Sequence, residues 1–202
     1  VVNIGANNFV ISGGGDFEGR MTGDDASVES RGNLILGGDL QVGALLVSGG
    51  TTTLTGSLDN SFTNVLSEGT LNLGSAERIA DGANLNVDGI LNTTGEETVT
   101  GFTATGTING SGTVSALTTS LNGATVNANL GTGALTSDGD TDLNGTSAAD
   151  TVTVAGGTLT LDGALTNNTA TVNVDAGTLA ANGTVAASSV NVAEGAALTT
   201  GE

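Results

Sequence analysis

From Thr151 onward the chain reads "TVTV", "TLTL", "TVNV", "TLAA" and "SVNV", each run set off from the next by residues rich in Gly, Asn and Asp. Apolar residues fall on alternate positions in these runs, with Thr or Asn mostly between them. A period of two marks a strand with one face in a core and the other toward water. No segment keeps apolar residues three and four apart for a dozen residues, so helices are not expected. Aligned on their valines, the runs place Val152, Val172 and Val190 in one column and Val154, Val174 and Val192 in the next. Leu159 then falls over Leu179, and Leu165 over Val185. The step is 20 residues and then 18. A repeat of this length buries its apolar side only by stacking on its neighbours. The pattern predicts an all-β fold, a single parallel β-helix (β-solenoid) with one coil per 18 to 20 residues.

The same grammar runs back along the chain. Gly followed by Thr or Ala opens a short strand at Gly69, Gly82, Gly106, Gly123, Gly157 and Gly177. Asn-Gly pairs at Asn109, Asn122, Asn144 and Asn182 suit tight β-hairpins and so compete with the solenoid reading. Column identity at near-constant spacing favours coils, because neighbouring strands of a meander run in opposite directions and have no reason to keep it. Proline is absent. That fits a strand stack in which every interior N–H is paired, since average usage would supply about ten prolines. At roughly 19 residues per coil the chain makes about ten or eleven coils, a rod on the order of 50 Å long. Residues 1–32, with two of the three arginines and the one methionine, have weak periodicity and are expected to form an irregular N-terminal coil or cap. Residues 33–202 are read as the solenoid, although the columns between about 95 and 145 drift out of register.

Charge narrows the partners. There are 21 acidic and 3 basic residues (Arg20, Arg31 and Arg78), a formal net charge of −18. Such a chain repels phosphate backbones and anionic lipid, so no nucleic acid partner and no membrane insertion by this segment are expected. Acidic chains poor in aromatics are often disordered, but here hydrophobic residues make up 37% and alternate in β-forming runs. No apolar run approaches the roughly 20 residues of a membrane helix, and no signal peptide opens the chain, so a mature form or an excised segment is expected. Lysine and cysteine are both absent, which excludes amine-dependent chemistry and disulfides. The forty residues between Glu97 and Asp138 carry no charge. They read either as a solvated Thr, Ser and Asn surface or as a face that packs on another molecule, being easier to desolvate than a charged one. The C-terminal "VNVAEGAALTTGE" stops in repeat grammar. Its open strand edges are expected either to mark a cut from something longer or to serve self-association through open solenoid ends.

Candidate chemistry is sparse. In "SDGDTDLNG" the carboxylates Asp138, Asp140 and Asp142 alternate and would share one face of a strand. Like charges that close favour a hard cation, so Ca²⁺ is the candidate metal and the only candidate cofactor; the competing reading is a solvated acidic turn. The loop departs from the EF-hand pattern, with Leu143 in place of its glycine and Ala149 in place of its glutamate. Asp24 and Asp25, and Glu96 and Glu97, are adjacent pairs, and adjacent strand side chains diverge, so neither is a ready acid and base. With His, Lys, Cys and Tyr all missing, no catalytic residues are assigned and enzyme activity is not expected. Thr-x-Thr pairs invite comparison with ice-binding solenoid faces, but the column under Thr151 and Thr153 continues as Thr171 and Asn173, then Ser189 and Asn191. The array is broken. Asn-x-Ser/Thr sequons at Asn92, Asn109, Asn144, Asn167 and Asn182 are read as turns.

The segments "VAGGTLTLDGALTNNTATVNVDAGTLAANG" and "GTLNLGSAERIADGANLNVDGIL" resemble the passenger domains of bacterial autotransporters and related large repetitive surface adhesins. The resemblance covers residues 33–202 and lies in repeat grammar rather than in a site motif. It implies a right-handed parallel β-helix, an extracellular place on a bacterial cell surface, and a rigid stalk or adhesion face that meets a host or cell-surface ligand. The alternative expectation is a self-assembling filament or surface-layer subunit whose coil ends stack head to tail. A carbohydrate-active β-helix enzyme is a remote third.

Overall fold

The computed structural model describes residues 1–201. All-β throughout, the chain winds as a parallel β-solenoid of eleven coils. One eleven-stranded sheet takes a strand from every coil, from Gly15–Phe17 and Leu34–Leu36 at one end to Thr178–Ala181 and Ala197–Thr200 at the other. We refer to it as the first face. A seventeen-stranded sheet supplies the rest of each coil and bends into a second and a third face. Four long strands run through that bend: Met21–Ser30, Leu40–Val47, Glu96–Ala104 and Thr113–Leu121. Every ladder between coils is parallel, including Thr151–Val154 on Thr171–Val174 and Thr158–Leu161 on Thr178–Ala181. Hairpins are therefore not how the Asn-Gly pairs are used.

The sequence columns coincide with the pairing. Val152 lies opposite Val172 and Val172 opposite Val190; Val154, Val174 and Val192 follow two residues on. Leu159 pairs with Leu179 and Leu165 with Val185. Upstream, the third-face core column continues through Leu135, Thr119, Phe102, Leu85, Thr63 and Leu45 to Val28. These side chains point inward because a strand alternates its Cβ directions, and the inner set is apolar with a few small hydroxyls. One continuous core fills the bore. Phe102, the one aromatic fully inside, is 1% exposed.

Coil length is less regular than the 18 to 20 residues read from the last third. Leu121 pairs with Ser137 sixteen residues on, whereas Val65 pairs with Val87 twenty-two residues on. The longer coil carries the extra turn around Ser75–Ala80, where only Ile79 bridges to Leu58. The first 32 residues join the same stack. Val2–Asn3 and Asn8–Ile11 pair with Met21–Ser30, and a bulge between Gly23 and Ser27 throws Asp24 and Asp25 outward.

Corners require glycine for steric reasons. Between the first and second faces, a Cβ on Gly163 would lie 1.8 Å from the Gly145 carbonyl oxygen, and one on Gly183 only 1.7 Å from that of Gly163. The coils approach too closely there for any side chain. Asn144-Gly145 and Asn182-Gly183 are two such corners, so these pairs turn the chain within a coil rather than reversing it.

Candidate functional site

The three aspartates of the acidic segment do not converge. Residues 138–140 form a turn at the exit of the strand Ala134–Ser137, which breaks the alternation that would have put three carboxylates on one strand face. Asp140 instead reaches the next coil and accepts the Thr158 backbone N–H at 2.9 Å. Asp138 lies over Gly156 of that coil. Asp142 sits outward on the strand Thr141–Leu143, paired with Thr125 and Thr160. Among the described residues, no group of three or more acidic side chains is placed to hold a metal ion.

The adjacent pair Glu96 and Glu97 diverges as strand geometry demands, and the divergence sends Glu97 into the core. It is fully buried. It lies opposite Val114, and its two carboxylate oxygens accept the backbone N–H groups of Ile79 at 2.6 Å and Arg78 at 3.0 Å. These donors belong to the irregular turn of the long coil, where ladder partners are missing, so the side chain does there what a strand backbone does elsewhere. Burial pushes its pKa up to about 7, working against the two N–H donors and Arg78, which favour the carboxylate; the nearby Glu77 charge adds to the upward shift. Arg78 itself turns outward and caps the coil below through the carbonyls of Thr55 and Gly56. The one ion pair among the described residues joins Arg31 to Glu29 at 2.7 Å.

A polar ladder that the sequence columns did not show runs along the edge of the first face. Asn72, Asn92, Asn109, Asn127, Asn144, Asp162 and Asn182 occupy successive coils. Side-chain amides link Asn92 to Asn72 at 2.7 Å, Asn127 to Asn109 at 2.8 Å, Asn144 to Asn127 at 2.7 Å and Asn182 to Asp162 at 2.8 Å. Four of the five sequon asparagines stand in this ladder. The fifth, Asn167, closes a turn by accepting from Thr169.

The uncharged segment is a girdle rather than a face. Its coils are only 16 to 18 residues long, so the forty residues from 98 to 137 wrap the rod more than twice. Acids stand at its borders and bond into it: Asp88 accepts from the Thr105 hydroxyl at 2.8 Å. Within the girdle, at the bend between the second and third faces, Leu117 projects outward. It is the most exposed large apolar side chain outside the first residue of the chain, at 71%. On the third face the column of Thr151, Thr171 and Ser189, with Thr153, Asn173 and Asn191 beside it, is as broken as the alignment reads it. No family model, no curated protein and no solved structure matches the chain.

Proposed function

We propose that this chain is a non-enzymatic rod of a bacterial cell surface, serving as a rigid stalk or as an adhesion face. The observation that carries the reading is the unbroken stack of eleven coils around one core, interrupted on its acidic exterior by an uncharged girdle. A solenoid of this kind is quasi-one-dimensional, each coil contacting only its neighbours, so it holds a surface at a distance without needing a pocket. The girdle is the part of the surface that another molecule covers at least electrostatic cost, because no charge has to be desolvated there. The repeat grammar shared with autotransporter passenger domains and repetitive adhesins supports the extracellular placement. Antibodies against the chain are expected to label intact cells of the organism that encodes it. Labelling only after permeabilisation overturns the reading.

A further inference from the structure

A groove of about 350 Å³ crosses the girdle at the bend between the second and third faces. Backbone pairing puts Ala83, Thr100, Leu117, Gly133 and Asp150 at the same place in five successive coils. At this bend two neighbouring residues of each long strand turn outward together, Thr100 with Gly101 and Leu117 with Thr118. The column is otherwise polar or small, and Leu117 breaks it with a side chain that has no role in the core. Directly beyond it the column is empty. Gly133 has φ +109° and a Cβ there would lie 2.1 Å from the Ala116 carbonyl oxygen, so no side chain stands between Leu117 and Asp150. The floor is made by Val99 and Ala116, and a carboxylate stands at each end, Asp81 and Asp150.

We infer that this groove is the docking site for an extended peptide segment of a partner protein that carries one apolar side chain between two basic ones. The notch over Gly133 and the exposed Leu117 provide apolar contact, and the walls are Thr98, Thr100 and Ser115. Their hydroxyls already donate to the Glu77 carboxylate at 2.9 Å, the Asp81 carbonyl at 3.2 Å and the Glu96 carboxylate at 3.4 Å, and so offer acceptor lone pairs to a peptide. Charge complementarity fixes the ends. Asp81 lies two residues before Ala83, and Asp150 stands four coils beyond Ala83, a separation along the rod of about 19 Å at about 4.8 Å per coil. An extended peptide covers that distance in about six residues at about 3.3 Å each. Leu117 lies midway. The ligand pattern is therefore a basic residue, an apolar residue about three positions on, and a second basic residue about three beyond that. This names a partner class for the adhesive role proposed above and rests on that reading.

The test is fluorescence anisotropy with a labelled seven-residue peptide that has arginine at both ends, leucine at the centre and threonine elsewhere. Because the whole chain is acidic, the decisive comparisons hold peptide charge fixed. Replacing the central leucine by threonine is expected to weaken binding about tenfold, as is Leu117→Ser in the protein. Asp150→Asn is expected to weaken binding severalfold, and Asp59→Asn, which removes the same charge on the second face, not at all. Leu117 is exposed, so Leu117→Ser keeps the fold, and an unchanged melting temperature checks that. Equal binding of the leucine and threonine peptides, or equal losses in Asp150→Asn and Asp59→Asn, overturns the proposal by reducing it to general attraction. Binding of a chitosan oligomer that is lost in Leu117→Ser while the peptide fails also overturns it, in favour of a glycan. Failure of the peptide on a chain that does label intact cells removes this docking site and leaves the surface rod standing.

Discussion

At the scale of a residue, the direction of its Cβ decides what it tolerates. Val172 is fully buried between Val152 and Val190, whereas the next side chain, Asn173, points outward and accepts from Asn191 at 2.9 Å. Val172→Asp places an unpaired carboxylate in the bore and is expected to destabilise by several kcal/mol. Asn173→Asp keeps the accepting oxygen and is expected to be nearly neutral; thermal unfolding of the two variants checks the contrast. Glu97 gives a pH dependence of defined sign. Its folded pKa, about 7, lies above the 4.5 of a solvent-exposed glutamate in the unfolded chain, so the folded state binds the proton more tightly. The associated stability is complete below pH 4.5 and is lost as pH rises through about 7, an effect of up to about 3 kcal/mol. Glu97→Gln removes that titration, and the difference in melting temperature between variant and parent is expected to change between pH 5 and pH 8. Alternation was legible in the valine runs without a structure. The inward place of Glu97 was legible only through its parity with Val99 two residues on, a signal outweighed by the expectation that charge faces water.

At the scale of the element, the coil is defined more by its corners than by its strands. Strands as short as Ala164–Leu165 and Thr184–Val185 are held because the glycine corners let successive backbones approach. Gly163→Ala drives a Cβ against the Gly145 carbonyl, and separating the coils to relieve it is expected to cost about 3 kcal/mol. Gly82→Ala meets nothing within 4 Å and is expected to be neutral or slightly stabilising, since alanine restricts the unfolded chain. Urea unfolding of both variants separates steric from conformational demand. The last three coils were readable because their columns repeat at 20 and 18 residues. Between about 95 and 145 the coils shorten to 16 to 18 residues, and a column assumed to step by 19 slides off its partners there. The asparagine ladder was hidden by the same variation, since its members are 17 to 20 residues apart.

At the scale of the whole molecule, a net charge of −18 is spread over a rod that has three basic residues to offset it. Self-repulsion of that kind is screened by salt, with a Debye length of about 10 Å at 0.1 M and about 3 Å at 1 M. The melting temperature is expected to rise as sodium chloride increases from 10 mM to 1 M at pH 8; a fall would mean that local ion pairs outweigh the general repulsion. Fold class was written in the repeat because stacking imposes the same inner residues on every coil. The docking groove was not, because it depends on one leucine, one missing side chain and two aspartates that meet only once the register is known. The ladders themselves have a mechanical consequence. Their hydrogen bonds run along the rod, so tension applied end to end loads the interfaces between coils in series, and the weakest gives way alone while the others stay closed. A released coil of 16 to 22 residues unspools to about 60 Å of chain where it had spanned about 4.8 Å, so the rod lengthens severely before it breaks. A tether built this way is stiff under small loads and absorbs large ones, one coil at a time.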